Sequence, residues 1–592
     1  MANGFGSLYI GTSGMQTSQN GLHVIGNNLT NVNTDGYVRQ QVIYTDKEYN
    51  PTHQLQSIGK QQTGLGVSIG DVLHARDVFL DASYRTQNSR QTFYDACYDA
   101  SYEVETFLQE MDGADFKAAI ADLYEAFSEF AKDPADSANQ NIVIQKSQLF
   151  IARSQALYNG LKEYQSTINT KISNDVDRIN ELGIKIMDLN KKIQRIEAAD
   201  IETASTLRDA RDMALDELSG LASITYNEQY NGIVTVKLEG QDFVTEARAH
   251  QIALKTDEST KFVTPYWPHL SEPDKDEYYE VFQLNRVSAD FNNDRGEVKA
   301  LLLARGDHFA KYSDITNVTD PYKYEIGIGN SVMLNSEAEI DLLIHNLVTA
   351  INDVICPNTT AGEALPAGTD YTQDITLPNG EVIHIDENTK ILDADNCSVG
   401  SDNRIPPREL FTRTGAERYT EVTIQVPKSD GSGTEPKTIY LYNEEDQDDP
   451  STMYTMSSIR VNSELVAQQS LLAHRTQTQK ENAVDYSLGK KFEDIWTEQK
   501  YYLNASDETP CTFQEFYAKF VGDVATNANI FKATSESYKR TVDSVDSSRQ
   551  QVFGVSSDEE LTNMIKFQNA YNASSRYINT VNSMIDYLLS SL

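Results

Sequence analysis

Three groups of residues in this 592-residue chain are of the types that chemistry uses. Ser487-Leu488-Gly489-Lys490 has the SxxK spacing in which a lysine can take a serine's proton, and Ser401-Asp402-Asn403 has the SDN form that accompanies it in acyl-transfer enzymes. The KTG element is absent and the order is reversed, so chance accounts for the match. Asp290, Asn292 and Asp294 begin like a calcium loop, but the glycine falls one place late at Gly296 and no glutamate closes the loop. Cys97, Cys356, Cys397 and Cys511 lie far apart, without a CxxC pair or a histidine at metal-ligand spacing. They read as unpaired packing residues, a Cys356–Cys397 disulfide staying open if the two share a domain. His23 and His474 read as surface or satisfied residues, and Glu444-Glu445-Asp446 with Asp448-Asp449 as a solvated loop. No HExxH, GxSxG or P-loop occurs, so no catalytic residue, cofactor or metal site is expected.

The periodic signal that survives is apolar. Leu8, Met15, Leu22 and Leu29 fall seven apart, with Gly11, Ser18, Ile25 and Val32 at the intervening three-then-four positions. Met564, Tyr571, Ile578, Ile585 and Leu592 repeat that spacing at the other end, sharpened by Val581 and Leu588. Chain ends ordinarily fray, so two terminal stripes of coiled-coil spacing imply helices that bury their seams against each other or against sister subunits. A single stripe would fit an amphipathic helix on a globular core equally well; stripes at both extremes favour assembly over catalysis. Gly11 and Ser18 weaken an isolated pair but permit close approach, so the ends are expected to order as they assemble.

The elements between the stripes must hold the two ends together. Helix signals run from about residue 87 to 222, with a break expected at Asp133-Pro134, where proline pushes its predecessor out of the helical region. Ile172, Val176, Ile179, Leu182, Ile186, Leu189, Ile193 and Ile196 then form a heptad seam with one stammer. A helix over 166–198 would be on the order of 50 Å long, a rod-like coiled-coil arm. From about Tyr226 the period changes to two: Val234, Val236 and Leu238, then Val422, Ile424 and Val426, then Ile439 and Leu441, the last two runs joined through Asp430-Gly431-Ser432-Gly433. Helical pattern returns near Ser463.

Composition narrows the partners. With 88 acidic and 50 basic residues the formal charge is -38, which repels phosphate backbones and anionic membranes, so neither nucleic acid nor membrane is an expected partner. Mean hydropathy of -0.50 goes with the lack of any apolar run of spanning length. Met1 to Met15 has neither a basic n-region nor an apolar h-region, so no Sec signal peptide is expected. A chain of this length calls for several domains.

Asn27-Asn28-Leu29-Thr30-Asn31-Val32-Asn33-Thr34-Asp35-Gly36-Tyr37 resembles the N-terminal signature of bacterial flagellar rod, hook and hook-associated proteins, the flagellar axial family. In physical terms it is a helix end, with Gly36 available as a cap and Tyr37 as an apolar plug. Gly64-Leu65-Gly66-Val67 and Asp77-Val78-Phe79-Leu80 also resemble that family, although His74 stands where arginine is usual. Asp133-Pro134-Ala135-Asp136, then Leu207, Asp209, Arg211-Asp212, Leu215 and Leu218-Ser219, then Asn231-Gly232, resemble more narrowly the hook-associated protein 1 family of hook–filament junction proteins. So do Gly554-Val555-Ser556-Ser557-Asp558-Glu559-Glu560 and Phe567-Gln568-Asn569-Ala570-Tyr571; Gln140 and Ser556-Ser557 depart from the usual arginine and Asn-Leu. Without the family, Ser557-x-x-Glu560 reads as a capping box that starts a helix near Asp558. The resemblance covers roughly residues 1–245 and 455–592.

The expected architecture is α+β and multidomain. Residues 1–50 and 550–592 form a terminal coiled-coil inner layer, 51–225 and 455–549 a helical trunk with the long arm, and 226–454 an outer β-rich domain or domains. The resemblance implies a non-enzymatic structural role, self-assembly into a ring or helical annulus, and contacts with hook protein and with a second junction protein, hook-associated protein 3. It also implies type III export with a chaperone on the C-terminal helix, and an extracellular location on the flagellum. A hook or distal-rod protein would share both ends but lack the seam at 166–198. An adhesive or hydrolytic outer domain carried on the same ends is the reading from another class. Limited proteolysis of the purified monomer tests assembly-coupled order: trimming confined to both ends is the expected outcome, and resistant ends contradict it.

Overall fold

The computed structural model describes residues 2–47, 66–109, 116–198, 203–377, 380, 382–428, 432–477 and 486–591. The chain opens with helix α1 (Ala2–Thr30) and a hairpin of β1 (Gln40–Asp46) and β2 (Val67–His74). Helices α2 (Val78–Gln109), α3 (Phe116–Lys132), α4 (Ser137–Glu197) and α5 (Ser205–Leu221) follow. Strands β3 (Ile224–Glu228), β4 (Val234–Leu238) and β5 (Gln241–Val244) form an antiparallel meander. Next come α6 (Glu297–Arg305) and α7 (Val332–Ile355), then a four-stranded sheet. Its strands are β6 (Asn358–Thr360), β7 (Lys390–Leu392), β8 (Tyr419–Pro427) and β9 (Thr434–Tyr442), in the order β8-β9-β7-β6. Helices α8 (Tyr486–Thr497), α9 (Phe513–Phe553) and α10 (Ser557–Ser591) close the chain. The fold is α+β and multidomain, 57% helical.

The two halves of the helical chain run against each other. Arg549 on α9 pairs with Asp81 at the start of α2, and the Tyr517 hydroxyl donates to the Leu108 carbonyl near its end, so α2 and α9 are antiparallel. Aromatic packing fills the far end: Phe127 stacks on Phe492 at 5.0 Å, and Phe116 meets Tyr517 at 5.5 Å. Such rings contribute most of the buried area per residue and favour offset or edge-on contact at these separations.

The break expected at Asp133-Pro134 falls there. Helix α3 ends at Lys132, and Asp136 caps α4 by accepting the Ala138 N–H at 3.0 Å. At 61 residues, about 90 Å, α4 is far longer than the seam suggested. Its Ile172, Val176, Ile179, Leu182, Ile186 and Ile193 are fully buried, whereas Ile196 is 41% exposed, so the seam stops a turn early. Its partners lie within the same chain. Helix α5 lines one flank, and on another β4 and the ends of a further hairpin (Ala253–Thr256 with Val263–Tyr266) are held by three asparagines spaced ten or eleven residues apart, which is three helical turns and therefore one face. The amide of Asn190 donates to the Val234 carbonyl at 2.8 Å and accepts its N–H at 3.1 Å. Asn180 does the same to Ile252 at 2.9 and 2.8 Å, and Asn169 to the Lys261 carbonyl and the Val263 N–H at 3.1 and 2.8 Å. A carboxamide offers one donor and one acceptor in a plane and so mimics a strand neighbour. These short strands satisfy their edges on a helix rather than in a wide sheet.

The alternating runs form strands. Val234, Val236 and Leu238 are buried on β4, and Val422, Ile424 and Val426 on β8 share a buried face with Ile439 and Leu441 on β9. Of the joining turn, Asp430 and Gly431 lie outside the described residues. The span 226–454 departs from the β-rich expectation, because it also carries α6 and the 24-residue α7. One apolar core runs from Phe93 to Val524 through Val234, Leu347 and Cys356, with no break at residue 225. A separate core of Ile391, Val422, Ile424 and Ile439 belongs to the four-stranded sheet. Helix α7 has no single apolar stripe because it is covered on most of its faces.

Buried acids on α7 further hid it. Glu337, Glu339 and Asp341 are at most 2% exposed. Glu337 accepts the Ala310 N–H at 2.9 Å, Glu339 the Tyr324 hydroxyl at 3.1 Å, and Asp341 the N–H groups of Tyr312 and Met456 at 3.0 and 2.6 Å. Burial pushes Glu337 up to about 8, against the Ala310 hydrogen bond and the His308 charge; it pushes Glu339 and Asp341 up to about 7. The unfolded chain releases these protons near the ordinary carboxylate range, so the folded form holds more of them between about pH 4.5 and 8. Stability of this region is therefore full below that window and falls as pH rises through it. A thermal midpoint several degrees lower at pH 8.5 than at pH 5.5 is expected. A flatter profile is expected for Glu337→Gln, measured by calorimetry.

Candidate assembly interface

Helices α1 and α10 lie antiparallel: Gly11 faces Ile578, Gly14 faces Ser574 and Gly21 faces Phe567. A methyl group at Gly11 would sit 2.5 Å from Ile578 Cγ1, and one at Gly14 2.8 Å from Ser574 Oγ, so the close approach depends on the missing side chains. Helix α1 contains six glycines and no Asp, Glu, Lys or Arg. Each interior glycine costs about 1 kcal/mol of helix propensity relative to alanine, so packing rather than propensity holds this helix. Its hydroxyls are absorbed internally: Thr17 donates to the Ser13 carbonyl at 2.8 Å and Ser18 to that of Gly14 at 2.7 Å, leaving an apolar contact line. The hairpin β1–β2 covers a second side of α1, and Tyr44 on β1 meets Phe567 on α10 at 5.8 Å.

The heptad residues divide between two faces. Ile25 and Val581 are buried, at 5% and 7% exposure. Leu8, Met15, Leu22 and Leu29 on α1, and Met564, Tyr571, Ile578 and Ile585 on α10, are half-buried. Val32 is exposed in the turn after α1, and Leu588 is 60% exposed. Leu592 lies outside the described residues. The tightest line is Gly11-Gly14-Ser18-Gly21, and the leucines flank it, because small residues set the closest approach while larger ones fill the sides.

Below this pair a polar node fixes the helix ends. Asn28 donates to Glu560 Oε2 at 3.2 Å and to the Gln40 carbonyl at 3.0 Å, and accepts the Gln40 N–H at 3.1 Å. Arg39 reaches Glu560 at 2.8 Å and Glu559 at 3.0 Å, and its N–H donates to the Phe553 carbonyl at 2.9 Å. Glu560 is thus spent across the interface rather than on a capping box at Ser557, and the helix begins under Ser556, whose carbonyl accepts the Glu560 N–H at 2.9 Å. Tyr37 is a polar anchor instead of an apolar plug: its hydroxyl donates to Asn28 Oδ1 at 2.8 Å. Burial, with the Asp209 and Glu560 charges, pushes it up to about 12. Gly36 adopts φ +73°, and a Cβ there would run into the Met213 sulfur. No sequence spacing marks the Asn28–Glu560 bond, which spans 532 residues; the cue was an asparagine-rich helix end beside an acidic helix start.

A second lattice ties this layer to the trunk. Arg549 bonds Asp81 at 2.8 Å and Asp216 at 2.6 Å; Arg85 bonds Asp216 at 2.6 Å and Asp212 at 3.2 Å; Arg76 reaches Asp212 at 2.8 Å. Burial alone would raise Asp212, but Arg76, Arg85 and Arg211 outweigh it and hold the carboxylate below its ordinary range. Tyr84 lies 4.1 Å from the Arg549 guanidinium, which α2 and α9 thereby share.

The groups weighed for chemistry are otherwise engaged. Asp294 accepts the Tyr94 hydroxyl at 2.9 Å and pairs with Arg90 at 3.5 Å, so it points into the protein rather than toward a calcium loop. Asp402 is held by Arg408 at 2.6 Å, and Ser487 and Lys490 are exposed on α8. All four cysteines are free and buried, Cys356 and Cys397 included. Among the described residues no three His, Cys, Asp or Glu side chains gather as metal ligands, and no helix is long and apolar enough to cross a membrane.

A chain whose two ends pair into an antiparallel helical layer on a long helical trunk has the architecture of a flagellar axial protein. The family model described as "Flagella basal body rod protein" matches residues 8–37, and "Flagellar basal body rod FlgEFG protein C-terminal" matches 551–591. "Flagellar hook-associated protein FlgK helical domain" matches residues 101–357. Flagellar hook-associated protein 1 of Bacillus subtilis is 22% identical over 605 residues, covering 100% of this chain and 99% of that one. Its Escherichia coli namesake is 22% identical over 603 residues, 98% of each chain. The solved flagellar hook junction protein FlgK from Burkholderia pseudomallei has 13% identity and a TM-score of 0.49, over 80% of this chain and 100% of that one. The similarity to flagellar hook-associated protein 1 runs the full length of the chain, which is a structural component of the bacterial flagellum.

Two glycines separate packing from propensity. Gly11→Val should loosen the α1–α10 pair by about 1–3 kcal/mol through overpacking against Ile578. Gly26→Ala, which meets nothing within 4 Å, should tighten it by up to about 1 kcal/mol. Amide hydrogen exchange along both helices is the measurement, with opposite changes expected.

Proposed function

We propose that this chain joins hook to filament by self-assembly of its paired ends, with Leu8, Met15, Leu22, Leu29 and Val32 of the N-terminal segment and Leu588 of α10 completing their burial only between subunits. The same layer includes Ile25, Met564, Tyr571, Ile578, Val581, Ile585 and Leu592. Residues 1–50 and 550–592 form the inner layer. The trunk core extends outward through about residue 356, and the four-stranded sheet is the outermost unit. Hook protein contacts one side of the resulting annulus and a second junction protein, hook-associated protein 3, the other. The subunit leaves the cell by type III export, with a chaperone on α10 until assembly. Its role is mechanical rather than catalytic.

The observation that carries this reading is the placement of charge. Helix α1 has no charged residue, and α10 has four carboxylates against two bases, so the pair bears -2 of a total of -38. Copies can approach through this layer without the repulsion that the rest of the surface would impose. The 61-residue α4 supports a junction role over that of a hook or rod subunit. Ile585→Asp tests the proposal: a charge in a helical seam costs several kcal/mol, more than a terminal pair can absorb. Filaments should detach while the trunk keeps its unfolding transition, as read by filament counts and circular dichroism. Normal attachment would sink the idea.

A further inference from the structure

A cleft in the terminal layer lies between β1–β2 and α10, beside the glycine line of α1 that α10 covers. It encloses about 660 Å³ and is lined by Ile10, Gly11, Gly14, Lys47, Ala573 and Tyr577, among others. Close to it the chain leaves an apolar helix end uncovered: Met584, Tyr587, Leu588 and Leu589 are 60–75% exposed. The antiparallel register, with Gly11 at Ile578, sets Ala2 level with Tyr587, so the last turn of α10 overhangs α1 and finds no cover there. Nor can the tail reach the cleft of its own chain. Ala573 and Tyr587 lie on one uninterrupted helix, about 21 Å apart along its axis.

We propose that the tail of α10 from a second copy of this chain docks in this cleft, a reading that rests on self-assembly of the terminal layer and names the contact that makes it. Shape and charge both fit this occupant. Gly14, Gly66, Ala573 and Ser574 line the cleft between Ile10, Val67 and Tyr577, and such small residues leave room for the large apolar side chains of an incoming helix end. Beyond Arg576 the tail carries a single charged residue, Asp586, and it is exposed. The cleft rim carries Lys47, half-buried with its ammonium 5.5 Å from the Tyr9 ring, beside the exposed Asp46. Asp586 meeting Lys47 would orient the tail as its apolar residues enter. Tail and cleft are different surfaces, so the contact is head-to-tail. Repetition then closes a ring or extends a helical row instead of stopping at a dimer.

A cysteine pair and a charge exchange test this in the full-length chain, in flagella isolated from cells producing each variant. The native cysteines are buried, so engineered ones dominate mild oxidation. Ala573→Cys with Tyr587→Cys should give a crosslink between copies that neither single variant gives, since the two sites are too far apart on one helix to bond within a chain. Lys47→Glu should lower filament attachment by about tenfold, and Lys47→Glu with Asp586→Lys should restore most of it. A crosslink absent from the double-cysteine variant, or equally present in a single one, overturns the docking, as does a charge exchange no better than Lys47→Glu alone. Should the cysteines themselves block assembly, the charge exchange decides. Normally attached filaments without the crosslink would refute this contact and leave the junction role standing, whereas normal attachment in Ile585→Asp would refute the junction role itself.

Discussion

Everything in this molecule depends on the two ends of the chain lying side by side and antiparallel. Helices α1 with α10 and α2 with α9 repeat the same arrangement, and the Arg549–Asp81–Asp216–Arg85–Asp212–Arg76 lattice locks one pair in register at the level where it meets the other. Apolar packing supplies the bulk of the stabilisation, because a buried ion pair barely repays its desolvation. Removing one member, however, strands a charge and costs about 3–5 kcal/mol. A one-turn slip of α9 along α2 would strand several at once. The lattice therefore selects register more than it adds stability, and register decides which faces of α1 and α10 are presented.

The trunk solves a different problem. Its strands are short, and short strands in small sheets leave backbone groups unsatisfied. Asn169, Asn180 and Asn190 answer this along α4, and Asn352 on α7 repeats the device by donating to the Phe411 carbonyl at 2.7 Å and accepting its N–H at 3.1 Å. Each amide replaces a neighbouring strand, so a helix can act as the edge partner of a sheet. That lets α4 stay one uninterrupted element about 90 Å long with β-structure clipped to its flank.

Much of this was legible from local pattern. Heptads marked α1, α4 and α10, alternation marked β4, β8 and β9, and Pro134 marked the break before α4. Each depends only on neighbours within a few turns, where geometry fixes the period. What stayed hidden depends on partners far away in sequence or on burial from all sides. Helix α7 has no polar face to give it a stripe, and its Glu337 and Asp341 look like surface residues although they bind backbone N–H groups inside the core. Gly11 and Ser18 read as weakening an isolated pair while permitting close approach, and the closest contact of the layer runs along their line, through Gly14 and Gly21, which the heptad spacing does not mark. Glu560 fits a capping box by spacing but is drawn away by Asn28 and Arg39, which lie more than 500 residues earlier. A local rule yields where a tertiary partner competes for the same side chain.

The composition of α1 closes the argument. A helix with six glycines and no charged residue has neither propensity nor ion pairs to sustain it. Its only sources of stability are contacts: α10 and the β1–β2 hairpin within the chain, and whatever covers the outer flank of Leu8, Met15, Leu22 and Leu29. The rest of the chain carries nearly all of the negative charge, which acts over a Debye length of about 8 Å at physiological ionic strength. Under the proposed self-assembly through the terminal layer, the acidic trunks would stand at larger radius, where neighbours are farther apart, and the nearly neutral ends would converge where spacing is smallest. Segregated charge and a contact-dependent helix thus support one reading, the proposed self-assembly through the paired ends.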